Sequence, residues 1–431
     1  MRKHSKGKRL FFAFLVFSFI SCLLHGQNVS YSEEKAGMIP VPDVLTMING
    51  DKVLTEAEWI QFRKPEIKAL FEHLMYGVSP GSPDTVIFEM KEKNGKAFEG
   101  LGIRRQVNLY FKKDQSGPVL SLLIYLPARR LPAPLFLGLN FYGNHTVTND
   151  PMVFLPASWV ANDAKMGISQ NRATEFSRGK HASRWCVEEI LRKGYGLATV
   201  YYGDIDPDFD DGFNNGVHAL SRKKNDRISP VAWGSIAAWA WGLSRCMDYL
   251  VTDRDVDKDH VAVIGHSRLG KAALRAGAMD ERFFMVISNN SGCGGAALSK
   301  RVFGETVQAI NARFPHWFCG NFKNYNNHEE KLPIDQHMLI ALIAPRPVYI
   351  ASATEDLWAD PHGEFLSGVL ATPVYRLFNL PGLPVTEIPP PDIPVMGTIG
   401  YHIRAGKHDI TPFDWEQYLK FADIYIEKSN Q

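Results

Sequence analysis

One segment constrains this chain more than any other: Val261-Ala-Val-Ile-Gly265-His-Ser267-Arg-Leu-Gly270-Lys-Ala-Ala-Leu274. An apolar run, as a buried strand requires, passes through small residues into a stretch of helix formers. A strand that feeds a helix through so short a turn must bend sharply at Ser267. The bend exposes the serine hydroxyl at the head of the helix, where backbone N–H groups and the helix dipole favour developing negative charge. The G-x-S-x-G pattern of a nucleophile elbow is met loosely, because the second glycine, Gly270, comes one place late. The plainer alternative is a strand, a turn and a helix carrying an incidental serine.

The rest of the chain fits around such an elbow. Asp84 to Lys93, Arg104 to Lys113 and Val119 to Leu126 are short β-like runs without helices between them, which predicts antiparallel strands at a sheet edge. From Pro134 the pattern changes. Pro134 to Phe141, Leu197 to Tyr202, Val261 to Ile264, Met285 to Ser288, Pro347 to Ser352 and Gly400 to Ala405 read as strands. Trp185 to Lys193, Trp233 to Leu250, Leu269 to Gly277 and Trp415 to Lys428 read as helices. Alternation of this kind implies a mostly parallel central sheet with helices on both faces. Together with the elbow, this gives the expected class: α/β, an α/β-hydrolase fold with antiparallel strands at the N-terminal edge. Residues 27–431 are expected to form a single domain, with an N-terminal extension that is helical around Glu56 to Met75. Asp204 to Asn225 and Leu380 to Met396 read as loops, placed where loops wall a substrate cleft.

A serine nucleophile needs a base, and in this fold the chain order is serine, acid, histidine. His408, in Ala405-Gly-Lys-His-Asp409, stands past a strand and ahead of the last helix, where the base belongs. The acid is expected at a strand end between them. The strand Pro347 to Ser352 runs on through Ala353-Thr354 into Glu355-Asp356, either of which suits.

The first 26 residues read as a signal peptide. Arg2, Lys3, Lys6, Lys8 and Arg9 precede an apolar run from Leu10 to Leu24, short for a bilayer span. Cys22 makes a lipid anchor the lesser alternative. The implied location is secreted or periplasmic, with no membrane span in the mature chain. Lys plus Arg number 48 against 46 Asp plus Glu, so no basic excess points to nucleic acid. Cys186, Cys246, Cys293 and Cys319 allow three complete pairings, or none. They lack CxxC spacing, so no metal cluster is expected.

Gly265-His-Ser267-Arg268-Leu-Gly270-Lys271 resembles the Gly-x-Ser-Arg-x-Gly-Lys signature of glucuronoyl esterases, carbohydrate esterase family 15. Ser291-Gly-Cys-Gly-Gly295, Trp317-Phe318 and the Gly-x-His408 with Asp414-Trp415 are similar to that family too, over about residues 100–425. The resemblance implies cleavage, without a cofactor, of esters joining 4-O-methyl-glucuronic acid on glucuronoxylan to lignin alcohols. Separately, a monomer is expected. The resemblance also implies that Ser267 attacks the ester carbonyl and that Arg268 holds the oxyanion. Lys271, Glu305 and Trp358 would contact the sugar. Many members carry a glutamate just before Ser-Gly on the strand after the elbow. This chain has Asn289-Asn290 there, which moves the acid role to Asp356. Two other readings remain open: an acetyl esterase of plant polysaccharides, and an inactive carbohydrate-binding surface protein.

Overall fold

The computed structural model describes residues 29–222 and 227–429, so the signal-peptide segment and Cys22 lie outside the described residues. Ten strands form one sheet in the order β1-β2-β3-β5-β4-β6-β7-β8-β10-β9. They are β1 Ile87–Ala97, β2 Gly102–Tyr110, β3 Val119–Pro127, β4 Ala133–Asn140, β5 Gly196–Tyr201, β6 Val256–His266, β7 Met285–Asn289, β8 Val348–Ala353, β9 Val395–Met396 and β10 Ile399–Arg404. From β1 to β5 neighbours pair antiparallel, as expected of that edge. From β5 to β10 every neighbour is parallel, and β9 closes the far edge antiparallel.

The central strands are mostly apolar, β6 from Val261 onward, because both faces are covered there. Alternate residues divide between two apolar clusters. Leu135, Leu137, Val261, Val263, Val286 and Ile350 face one cluster with the helices Ser235–Leu250, Arg268–Met279 and Pro361–Leu377. Phe136, Ala262, Ile264, Ile287, Tyr349 and Ala351 face the other, under Val187–Arg192 and Pro412–Ser429. Each fully buried Leu, Ile, Val or Phe contributes about 1.5–3 kcal/mol relative to exposure.

The helix Pro361–Leu377 has no counterpart in the sequence reading. Gly363, Gly368 and Pro373 interrupt its apolar period, yet packing on β8 and β10 holds it. The N-terminal extension is helical over 56–76, near the expected stretch, with π turns at Trp59–Arg63 and Glu72–Tyr76. Cys186, Cys246, Cys293 and Cys319 are all free thiols; the last three are buried. Among the described residues, no helix is long and apolar enough to cross a membrane, and no cluster of His, Cys, Asp or Glu is placed to hold a metal ion.

Candidate active site

The residues singled out in the sequence meet at the carboxyl ends of β6, β7, β8 and β10, which are adjacent in the sheet. Ser267 follows β6 with φ 59° and ψ −131°, a conformation that costs a non-glycine residue on the order of 1–3 kcal/mol. Its backbone N–H donates to the Asn289 carbonyl at 2.9 Å, which ties the turn to β7. The turn is possible because Gly265 has no side chain: a Cβ there would meet the Leu269 carbonyl oxygen at 2.0 Å. Gly270 is close but less tight, with the Gly265 oxygen and Ser291 Cβ each 3.0 Å from where its Cβ would be. The late second glycine therefore still serves the close passage of helix and strand. The Arg268 and Leu269 amides begin the helix Arg268–Met279 and have no intrahelical acceptor.

His408 follows β10, and its Nδ1 lies 2.6 Å from Asp356 Oδ2. That contact leaves Nε2 as the ring nitrogen for proton transfer. Asp356 is 6% exposed, whereas Glu355 is exposed, so of the two adjacent acids only Asp356 reaches the histidine. Asn290 Nδ2 donates to the same Asp356 oxygen at 2.9 Å. Asn290 thus braces the acid from just past the end of β7. Ser267 and His408 both line a cleft of about 280 Å³. They are not hydrogen-bonded to each other among the described residues; such contacts often tighten only with substrate bound.

The loop carrying His408 is fixed from beneath. Arg404 Nη2 donates to the Lys407 and Asp409 carbonyls, each at 2.6 Å, while its Nε pairs with buried Asp414 at 3.0 Å. Behind the His408 ring stands the buried His266 ring, with centroids 4.6 Å apart. Burial first, and the nearby His408 charge second, hold His266 well below the usual imidazole range, so it packs there uncharged.

The cleft wall beyond Arg268 carries Lys271, Glu305, Trp317 and Trp358. Lys271 Nζ donates to the Ser291 carbonyl and lies 3.8 Å from Glu305 Oε2. At 4% exposure it is far more enclosed than a lysine one turn into a helix usually is. Burial pushes the Glu305 carboxyl up against the opposing charge of Lys271 and a hydrogen bond with the Trp358 side chain. Arg268 pairs through Nη1 with Asp208, which the sequence reading left in a surface loop.

Sequence reasoning also passed over Glu364. Its Oε1 accepts from the Ser291 and Gly292 amides at 2.7 and 3.0 Å, and its Oε2 accepts from the Ser352 hydroxyl at 2.6 Å. It thereby staples the loop after β7 to β8. Burial pushes its carboxyl up to about 8. The unfolded chain releases that proton near the ordinary value of 4.5, so the folded state binds more protons between the two values. Stability therefore falls as pH rises from about 5 to about 8. Glu364→Gln cannot titrate, and its thermal midpoint, measured at pH 5, 7 and 9, is expected to decline less than that of the wild type. Parallel curves would mean that Glu364 is ionised throughout.

Residues 229–379 match the family model described as glucuronyl esterase, fungi. Carbohydrate esterase MZ0003, from an unknown prokaryotic organism, is 52% identical over 402 residues, 93% of either chain. The chain belongs to the glucuronoyl esterase family, carbohydrate esterase family 15. A 4-O-methyl-glucuronoyl methylesterase of Schizophyllum commune is 35% identical over 79% of this chain and 74% of that protein. Among solved structures, a glucuronoyl esterase from Solibacter usitatus superposes with a TM-score of 0.85 at 49% identity, over 90% of this chain and 99% of that one. A CE15 esterase from a marine bacterial metagenome, described as promiscuous, gives 0.87 at 52% identity, over 92% and 99%. This family member is accordingly a carboxylic ester hydrolase with the α/β-hydrolase fold.

Proposed function

We propose that this esterase hydrolyses esters of 4-O-methyl-glucuronic acid in glucuronoxylan, releasing lignin alcohols, through an acyl-enzyme on Ser267. The observation that carries the reading is the composition of one cleft wall: two cations, Arg268 and Lys271, a carboxylate, Glu305, and an indole, Trp358, all beside the serine. An acetyl group needs none of these. A sugar ring presents hydroxyls to the charged groups and an apolar face to the indole.

In this mechanism His408 Nε2 takes the Ser267 proton as Oγ bonds to the ester carbonyl carbon. The imidazolium that forms is held by Asp356. The carbonyl oxygen becomes an anion beside the Arg268 guanidinium and the first amides of its helix. The carbon–alcohol oxygen bond then breaks, and the alcohol leaves with the proton from His408. Water, deprotonated by the same ring, attacks the acyl-enzyme carbonyl; the bond to Ser267 Oγ breaks, Oγ takes that proton from His408, and the uronic acid leaves. Residues 1–26 act in this reading as an export signal, which suits a polymer substrate outside the cell.

The test compares a benzyl glucuronate ester with acetylated xylan and a simple aryl acetate. The expected result is turnover of the glucuronate ester well above both acetates. Lys271→Ala and Trp358→Ala are expected to lower kcat/KM on the glucuronate ester by about tenfold or more each, as loss of a charged or stacking contact implies, and to leave aryl acetate hydrolysis nearly unchanged. Equal losses on both substrates would make these residues structural. The promiscuity ascribed to the 52%-identical metagenomic relative gives the acetyl arm its interest. Acetylated xylan turned over faster than the glucuronate ester would establish the acetyl esterase reading.

A further inference from the structure

Asp208 lies seven residues beyond the end of β5, in a stretch rich in Asp, Asn and Gly, yet its side chain is only 6% exposed. Four donors converge on it. His316 Nε2 and Trp317 Nε1 reach Oδ1 at 2.8 and 2.7 Å. Arg268 Nη1 and the Tyr202 hydroxyl, the latter at 3.2 Å, reach Oδ2. Burial alone would push this carboxyl up. The His316 hydrogen bond, the Arg268 charge and the Trp317 hydrogen bond outweigh it and bring the value down to about 2. A carboxylate bonded on both oxygens cannot swing.

Three ring faces also stand near the Arg268 guanidinium: Trp317 at 4.8 Å, Phe314 at 5.3 Å and Phe141 at 6.0 Å from the centroids. Aromatic faces attract a cation but do not fix its rotation in the plane. Nε of Arg268 is buried without a hydrogen-bond partner among the described residues. The directional restraint on the guanidinium therefore comes from Asp208. The same carboxylate holds the indole N–H of Trp317, whose ring lines the cleft and stacks on Phe314 at 3.7 Å with an interplanar angle of 1°.

We infer that Asp208 is a positioning residue for the reaction: it fixes the guanidinium of Arg268 toward the ester carbonyl and, through its second oxygen, fixes the Trp317 wall of the substrate cleft. The inference rests on the reading of Arg268 as oxyanion donor given above. Asp208 touches no reacting atom and acts through Arg268. Its value is preorganisation: as charge grows on the carbonyl oxygen, the donor is already in place.

The test is a cycle of four proteins: wild type, Asp208→Asn, Arg268→Ala and the double variant. Each is assayed for kcat and KM on a benzyl glucuronate ester, with near-UV circular dichroism to establish that the fold persists. Asp208→Asn is expected to lower kcat by on the order of tenfold to a hundredfold, the cost of misplacing a catalytic group. With alanine at 268 the same change is expected to move kcat by less than about twofold, since the group it positions is gone. Its effect on KM, which reports the freed Trp317, should persist in both backgrounds. If Asp208→Asn fails to fold, Asp208→Glu replaces it in the cycle, because the longer acid keeps the charge and displaces it. Equal kcat factors in the two backgrounds would overturn the inference. So would a kcat for the single variant at or above wild type. An Arg268→Ala enzyme with wild-type kcat would instead overturn the oxyanion reading, and this inference with it.

Discussion

Ser267→Ala is expected to lose about a million-fold in kcat, the scale on which triad nucleophiles are lost, or about 8 kcal/mol of transition-state stabilisation. No other group in the cleft can take over, because the strained turn aims this one hydroxyl. The fold should barely change. Alanine accepts the same backbone torsions at the same cost, and the lost hydroxyl strands no protein partner. Ser267→Gly sharpens the measurement. It should be equally inactive yet melt higher than the alanine variant, since glycine adopts φ 59° without strain. Steady-state kinetics with thermal melts of the three proteins check both halves. Residual turnover within about a hundredfold of wild type would remove Ser267 from the nucleophile role. Equal melting of the two variants would mean the turn is unstrained.

The second large effect concerns the acid. Asp356→Asn is expected to lose up to about ten-thousand-fold in kcat, as when a serine protease triad exchanges its aspartate for the amide. Both His408 Nδ1 and Asn290 Nδ2 bond to Oδ2 of Asp356. An amide oxygen in that place can keep both contacts, so the substitution removes the charge with little change in shape. Glu355→Gln should be near wild type, because its side chain is exposed and only its backbone, through an N–H bond to the Gly406 carbonyl at 2.9 Å, joins the His408 loop. Asn290→Ala should cost about tenfold, the value of one hydrogen bond to a charged group. Parallel kcat measurements on the three variants decide the matter. A crippled Glu355→Gln, or full activity in all three, would withdraw Asp356.

The parts of this molecule that were legible in the sequence were those whose pattern is local. The apolar strands and the elbow announce themselves because burial on both faces of a sheet demands continuous apolar runs. What was missed depends on partners far along the chain. Asp208 sits among residues that individually favour exposed turns; only the approach of Arg268, sixty residues on, and of His316 and Trp317, more than a hundred on, encloses it. Asn290 read as a missing carboxylate. Its contact with Asp356 spans 66 positions and could not be inferred from either neighbourhood. The helix Pro361–Leu377 hid behind its own glycines and proline, and Glu364 was hidden with it.

The four free thiols carry a consequence for how this protein fails rather than how it works. With no covalent cross-link among the described residues, packing and polar pairing alone hold the chain together. Burial pushes the Cys186 thiol up to about 11, which leaves it a poor nucleophile while the fold lasts. Cys246, Cys293 and Cys319 are shielded outright. Heat removes the shield from all of them together. Thiols kept apart by the core then meet in an open chain, where dissolved oxygen can take two electrons and two protons from a pair of them, and each bridge so formed blocks the way back. In air, then, the enzyme's endurance is expected to follow how rarely it opens.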